Sequence, residues 1–318
     1  MAVELGASRL LAPYFSSSQI VWTIIIGTIM IAMALGNVYG GRAADKNNDP
    51  GRLYRRILIA AVWIAAIPLV GKYVILAVTG LLVITVNTGF LIWAAFIACM
   101  VIFVFPLFLL GTVTPSLVKY STDSLDNNGR IVGTLGAWNT IGSILGTFLP
   151  TFVTIPAVGT AVTFLLFSGI LLIIAAAYLI SRKKIAGVII STVIFALCSV
   201  FGNSDSFAFW EKDLTFEGES VYNYLQVREM PQAMILSTNV LFGVQSIRMK
   251  EGGLTGMYYD TAMAAPFFAG FPDKEKPSVL VLGMGTGTWA MMVRDYFPEC
   301  EITGVEIDED ITELAHRY

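Results

Sequence analysis

The sequence predicts a multi-pass α-helical membrane domain followed by a partial α/β domain of Rossmann-like type, with a small antiparallel β segment before it. Three observations predict this. Of 318 residues, 56% are hydrophobic and only 14% are charged, against about 25% charged in soluble domains. The charge is unevenly spread: no Asp, Glu, Lys or Arg occurs from Ile131 to Ser181, while the chain from Asp205 onward has an ordinary soluble composition. Near the end, a short apolar run from Val279 to Leu282 enters three alternating glycines, as a nucleotide-binding crossover does. The expected divisions are residues 1–205 (transmembrane, six or seven spans), 206–255 (β-rich) and 256–318 (an incomplete cofactor domain).

A spanning helix needs about 20 mostly apolar residues. Ile20 to Tyr39, Phe90 to Leu110, Ile131 to Val153, Val158 to Ile180 and Ile185 to Phe201 qualify. Ile57 to Val86 contains one further span, or two short ones, because Pro68, Gly71 and Lys72 interrupt it. Lys and Arg collect between Arg42 and Arg56, Lys119 and Arg130, and Arg182 and Lys184, and the positive-inside bias places these loops in the cytoplasm. By that count Ile185 to Phe201 leads outward, whereas a nucleotide-type ligand calls for a cytoplasmic soluble part. An extra crossing within Ile57 to Val86 would reconcile the two. Gly129, Gly133, Gly136, Gly142 and Gly146 recur at small-residue spacing and are expected to pack against a neighbouring helix. Glu4 and Arg9 read as an interfacial ion pair, and the amino terminus reads as the tail of a span and not as a cleavable signal peptide.

The net charge of -3 gives no sign of a nucleic-acid partner. Cys99, Cys198 and Cys300 form neither a disulfide framework nor a metal spacing, so no metal is expected.

From Glu219 the hydrophobic period becomes two. "SVYNYLQV" reads as a strand and "AMILSTNVLFGVQSIRM" as strand, turn, strand, with Asn239 and Gly243 near the turn. "GMYYDTAMAAPFFAG" reads as a helix stopped by Gly270 and Pro272. Val279 to Leu282 is a buried strand, "TWAMMVRDYF" a helix, "EITGVEID" a second strand ending in acid and "EDITELAHRY" a further helix. Glycines at a strand-to-helix turn let a ligand lie against backbone N–H groups, so Gly283, Gly285 and Gly287 are candidate cofactor-binding residues. Glu306 stands at the spacing used for ribose hydroxyls. Thr288 occupies the last position of the dinucleotide fingerprint. The spacing is instead G-x-G-x-G, as in class I methyltransferase-like sites for S-adenosylmethionine-type ligands.

Taken together these segments resemble the spermidine synthase family, specifically its membrane-fused members. "ESVYNYLQV" is similar to the opening motif E-S-x-Y-Q, "FGVQS" to the segment whose glutamine faces the thioadenosine, and "GMYYD" to the Y-H-E segment. "VLVLGMGTGT" takes the place of G-G-G-D-G, and "GVEID" ends in the ribose acid. "ELGASRLLAPYF", "VWTIIIGTIMIAMALGNVYGGRAAD" and "GTVTPSLVK" resemble the membrane spans of the fused proteins.

The resemblance implies a polyamine aminopropyltransferase anchored in the lipid bilayer. A neutral amine of putrescine would attack the methylene beside the sulfonium of decarboxylated S-adenosylmethionine. It further implies that Gln245 contacts the thioadenosine and that Tyr258, Tyr259 and Asp260 line the polyamine site. Thr286 replaces the loop aspartate that holds the donor's amine, and Asn223 replaces the motif's glutamine. In the family the catalytic aspartate follows the fourth strand, past the position of Tyr318, so the chain reads as truncated and catalytically incomplete. Alternatives are a methyltransferase using S-adenosylmethionine, and a non-enzymatic membrane protein or polyamine transporter; a homo-oligomer is left open.

Overall fold

The computed structural model describes residues 1–85, 89–122, 128–202, 206–211, 213–240 and 243–318. Its chain divides into two units, Met1–Asp205 and Ser206–Tyr318.

The first unit is helical: α1 (Ala2–Phe15), α2 (Gln19–Lys46), α3 (Pro50–Thr85), α4 (Phe90–Gly111), α5 (Val113–Ser121), α6 (Asn128–Leu149), a π-helical turn at Pro150–Thr154, α7 (Ile155–Ser181) and α8 (Ile185–Phe201). Lipid offers backbone groups no hydrogen-bond partner, so an apolar segment crosses it by bonding to itself as a helix. Among the described residues four stretches are long and apolar enough to cross: Gln19–Lys46, Pro50–Ile84, Phe90–Ser121 and Asn128–Ser181. The last is broken at Gly159, whose φ of 77° and ψ of 174° leave the helical region. Ile185–Phe201 is apolar but shorter, at 17 residues.

The interrupted region from Ile57 is one continuous helix as far as Thr85; Val86 lies outside the described residues. Pro68 is carried inside α3, as proline is in membrane-spanning helices generally. The extra crossing expected there does not form. Trp63 Nε1 donates to Ile102 O at 3.0 Å and binds α3 to α4, while the Tyr54 and Tyr178 rings stack 3.9 Å apart between α3 and α7.

The glycine seam is only partly as expected. A Cβ on Gly146 would stand 3.2 Å from Met1 Cβ, whereas at Gly129, Gly133, Gly136 or Gly142 one would meet nothing within 4 Å among the described residues. The close approach lies between α2 and α4. A Cβ on Gly36 would stand 2.3 Å from Phe108 O, one on Gly40 2.6 Å from Thr112 Cα, and one on Gly111 2.7 Å from Met33 O. The loops rich in Lys and Arg gather at one end of the unit, where Lys119 pairs with Asp45 at 3.2 Å and Lys184 with Asp49 at 3.9 Å. Residues 123–127 of the second loop lie outside the described residues.

The second unit opens with an antiparallel sheet of four strands in sequential order: β1 (Leu214–Glu219), β2 (Tyr224–Glu229), β3 (Ala233–Ser237) and β4 (Ser246–Met249). β1 extends the sheet upstream of the expected start at Glu219. The first residues of "SVYNYLQV" are a turn, because Ser220 Oγ accepts from the N–H groups of Tyr222 (3.1 Å) and Asn223 (2.9 Å). The β3–β4 connection is bridged by Gly243 N–H donating to Asn239 Oδ1 at 2.8 Å, and residues 241 and 242 lie outside the described residues.

The expected helix at "GMYYDTAMAAPFFAG" is two short ones, α9 (Tyr258–Ala262) and α10 (Ala265–Phe268), with Pro266 opening the second. β5 (Ser278–Leu282) then pairs in parallel with β6 (Glu301–Val305) through the crossover helix α11 (Thr288–Tyr296), and α12 (Glu309–Arg317) follows. Two apolar clusters hold the unit together. Ala233, Ile247, Tyr259, Met292 and Val293 join α9 and α11 to the sheet. Leu225, Val227 and Leu236 pack against Ile311 and Leu314 of α12.

Candidate functional site

The turn from β5 into α11 carries positive φ at each alternating glycine: 76° at Gly283, 57° at Gly285 and 90° at Gly287. Side chains are disfavoured in this conformation, so the backbone is bare along one line. β4 approaches from beside the turn. Ser246 Oγ donates to Gln245 Oε1 at 2.6 Å and accepts from Thr286 N–H at 3.1 Å. Thr288 Oγ1 donates to Ile247 O and accepts from Ile247 N–H, both at 2.8 Å, and so fastens the start of α11 to β4. A Cβ on Gly285 would stand 2.7 Å from Ser246 Oγ and 3.0 Å from Gln245 Oε1. Gln245 thus lies against the glycine turn although 38 residues separate it from Gly283.

Glu306, one residue beyond β6, faces the same turn. Its Oε2 accepts from Gly285 N–H at 2.6 Å, and its Oε1 accepts from Ile307 N–H at 2.9 Å and Asp308 N–H at 3.1 Å. A cavity of about 550 Å³ opens there, walled by the glycine turn, Gly304, Val305 and Glu306, and by Thr312, Ala315 and His316 of α12. Glu306 is the one carboxylate among the described lining residues. Met284 lies over β6, where a Cβ on Gly304 would fall 1.6 Å from its Sδ.

The polyamine-site candidates are placed differently. Tyr258 is exposed, whereas Tyr259 is buried and its hydroxyl donates to Gln245 O. Burial, and then the neighbouring Tyr258, raises the Tyr259 phenol well above its ordinary range, so it serves as a neutral donor. Asp260 turns back on its own loop, accepting from Thr255 Oγ1 at 2.7 Å, Thr255 N–H at 2.9 Å and Gly256 N–H at 2.7 Å. These bonds, Thr255 first, lower its carboxyl below the usual range.

Over 139 residues the chain is 56% identical to a protein of Bifidobacterium longum (strain NCC 2705) described as a probable polyamine aminopropyl transferase. It is similar to a polyamine aminopropyl transferase. The similar stretch is 44% of this chain and 30% of the relative, so the match spans under a third of the relative's length. No family model matches the chain, and no solved structure does.

Several residues beside this site carry no local sequence signal. Ser246 is signalled only by its adjacency to Gln245, and Met284 and Gly304 are complementary in space alone. Asp308 is buried and accepts from Ser220 Oγ at 2.6 Å and Asn223 Nδ2 at 3.2 Å, across more than eighty residues of sequence. It stands two positions after Glu306 in "GVEID", where nothing local signals its distant partners.

Proposed function

We propose that the chain is a membrane-anchored, spermidine synthase-like protein whose second unit holds a thioadenosine sulfonium donor, decarboxylated S-adenosylmethionine, for aminopropyl transfer to a polyamine such as putrescine. The observation that carries this reading is Glu306 bonded to Gly285 of a turn with three positive-φ glycines, both lining one cavity, with Gln245 against the same turn. In this reading residues 1–205 anchor the chain, 206–255 supply the β part, and 256–318 form a Rossmann-like donor domain. Gly283, Gly285 and Gly287 present backbone to the donor, Gln245 borders its thioadenosine, and Glu306 takes the ribose hydroxyls. Tyr258, Tyr259 and Asp260 stand on the polyamine side. The soluble part is assigned to the cytoplasm on its ligand's chemistry alone; a reporter fused after Tyr318 that is active only on the outer face would overturn that placement.

In the transfer, the lone pair of a neutral amine forms a bond to the propyl carbon on sulfur. The C–S pair returns to sulfur, methylthioadenosine leaves, and the new secondary ammonium loses its proton to a base. Alignment supplies most of the rate, and the base is needed at the attacking nitrogen. Glu306, already bonded by three backbone N–H groups, is poorly suited to that task. The chain is therefore expected to bind donor and to turn over slowly or not at all without a further carboxylate. Incubating it with decarboxylated S-adenosylmethionine and putrescine, and measuring donor binding and methylthioadenosine release separately, tests this; absence of donor binding contradicts the reading.

A second reading, a methyltransferase-like site for S-adenosylmethionine, is favoured by Thr286, whose hydroxyl supplies no charge for the donor's ammonium. Calorimetry with the two donors separates them.

A further inference from the structure

An aspartate at the start of a helix ordinarily turns its carboxylate onto the first free N–H groups. Asp308 stands at that position of α12 and makes no such bond. Its carboxylate points instead to the β1–β2 turn, where Ser220 Oγ donates at 2.6 Å and Asn223 Nδ2 at 3.2 Å. It is 1% exposed, and Ser220 is 5% exposed. The turn is itself preset, because Ser220 Oγ accepts from the Tyr222 and Asn223 amides and Ser220 N–H donates to Asn223 O at 2.8 Å. From Asp308 the connection continues into the candidate site: its own N–H donates to Glu306 Oε1, and Glu306 Oε2 accepts from Gly285 N–H.

A carboxylate offers about four acceptor positions. Three of those on Glu306 are taken by backbone N–H groups, two on Oε1 and one on Oε2. What remains open for a ligand hydroxyl is thus set by where the 307–308 backbone is held. Asp308 is held from two sides: its C=O accepts from Thr312 N–H of α12 at 3.2 Å, and its carboxylate is bonded to the β1–β2 turn.

We propose that Asp308, clamped by Ser220 and Asn223, is a positioning residue that orients the Glu306 carboxylate so that its open Oε2 position receives the 2′-hydroxyl of the donor's ribose. This rests on the thioadenosine reading above and deepens it. The shorter amide of Asn223, where the resembling motif has glutamine, is then a clamp on Asp308 and not a ligand contact. The clamp also links the β1–β2 turn to the donor loop, so the antiparallel sheet helps to shape the nucleoside pocket.

The test uses the full chain in detergent, titrated with methylthioadenosine and with its 2′-deoxy analogue. Asp308→Ala is expected to weaken methylthioadenosine about tenfold, the effect of losing one hydrogen bond to a charged group. It should change affinity for the deoxy analogue by less than about twofold, since that ligand lacks the hydroxyl that the open position of Glu306 receives. Asp308→Asn, which keeps an acceptor oxygen, should recover most of the loss. In a Glu306→Gln background, Asp308→Ala should add nothing. Ser220→Ala leaves Asp308 in place and should give the same ligand-selective pattern at smaller size, which covers a failure of Asp308→Ala to fold. Equal losses on both ligands would assign Asp308 a purely structural role and overturn the proposal, as would no loss on either. If the unaltered chain binds neither nucleoside, the thioadenosine reading itself falls.

Discussion

Replacing glycines of the β5–α11 turn one at a time separates backbone conformation from steric fit. Gly283 and Gly285 both have positive φ, 76° and 57°, so alanine at either costs about 1–2 kcal/mol in backbone conformation. They differ in surroundings. A Cβ at Gly283 meets nothing within 4 Å, whereas one at Gly285 lands 2.7 Å from Ser246 Oγ and 3.0 Å from Gln245 Oε1. Ser246 cannot withdraw without breaking its bonds to Gln245 and Thr286 N–H. Gly285→Ala therefore carries a further cost of about 1–3 kcal/mol for overpacking. Hydrogen exchange over residues 278–296 reads local opening, about tenfold in protection for each 1.4 kcal/mol. Protection should fall in both variants, and by roughly five- to 150-fold more in Gly285→Ala. Methylthioadenosine affinity should follow the same order. Equal losses, or a larger loss for Gly283→Ala, would refute the packing of β4 against the turn.

Other substitutions test separate parts of the fold. Gly304→Ala must displace Met284, whose Sδ would lie 1.6 Å from the new Cβ; its destabilisation should largely vanish in a Met284→Ala background, a coupling of about 1–3 kcal/mol by double-mutant cycle. Thr288→Val removes both hydrogen bonds to Ile247 and leaves a buried N–H and C=O unmatched, costing about 1–3 kcal/mol in chemical denaturation. In the helical unit, Gly36→Ala should lower the melting temperature in detergent, because its Cβ would meet Phe108 O at 2.3 Å, whereas Gly142→Ala should be silent or slightly stabilising. Asp260, whose folded pKa is lowered, stabilises its loop above the unfolded carboxylate pKa and loses that contribution as pH falls through the lower folded value. Asp260→Asn should flatten that acid-side dependence in exchange measured over residues 255–260.

The parts of this structure that were legible in the sequence are those set by local periodicity. Long charge-free runs form helices, and Val279 to Val305 follows the expected order of strand, glycine turn, helix and strand, although Leu280 and Leu282 of the strand expected to be buried are exposed. What escaped depends on partners far along the chain. β1 is a strand because Phe216 to Glu219 pair with Tyr224 to Val227; its own short sequence is only weakly alternating. Ser220 to Asn223 looked like strand because "SVYN" alternates, but the Ser220 hydroxyl captures local amides and turns the chain.

Glycine spacing illustrates the same limit. It shows that a helix can be approached closely, and not by what. The "GNVYG" spacing of α2 receives α4, while among the described residues the longer glycine series of α6 is met only at Gly146, by Met1 and Ala2. At the candidate site, the glycine turn and Glu306 were readable because a sequence motif encodes them locally. The Asp308 clamp was not, because hydrogen bonds spanning 85 and 88 residues leave no local pattern.

A nucleoside site formed by Glu306 and the glycine turn is tested most directly by titrating the full chain with methylthioadenosine, beside Glu306→Ala. Binding should be saturable, and Glu306→Ala should weaken it about ten- to a hundredfold, the worth of a charge-assisted hydrogen bond to the ribose. No binding to the unaltered chain, or binding indifferent to Glu306, would contradict it.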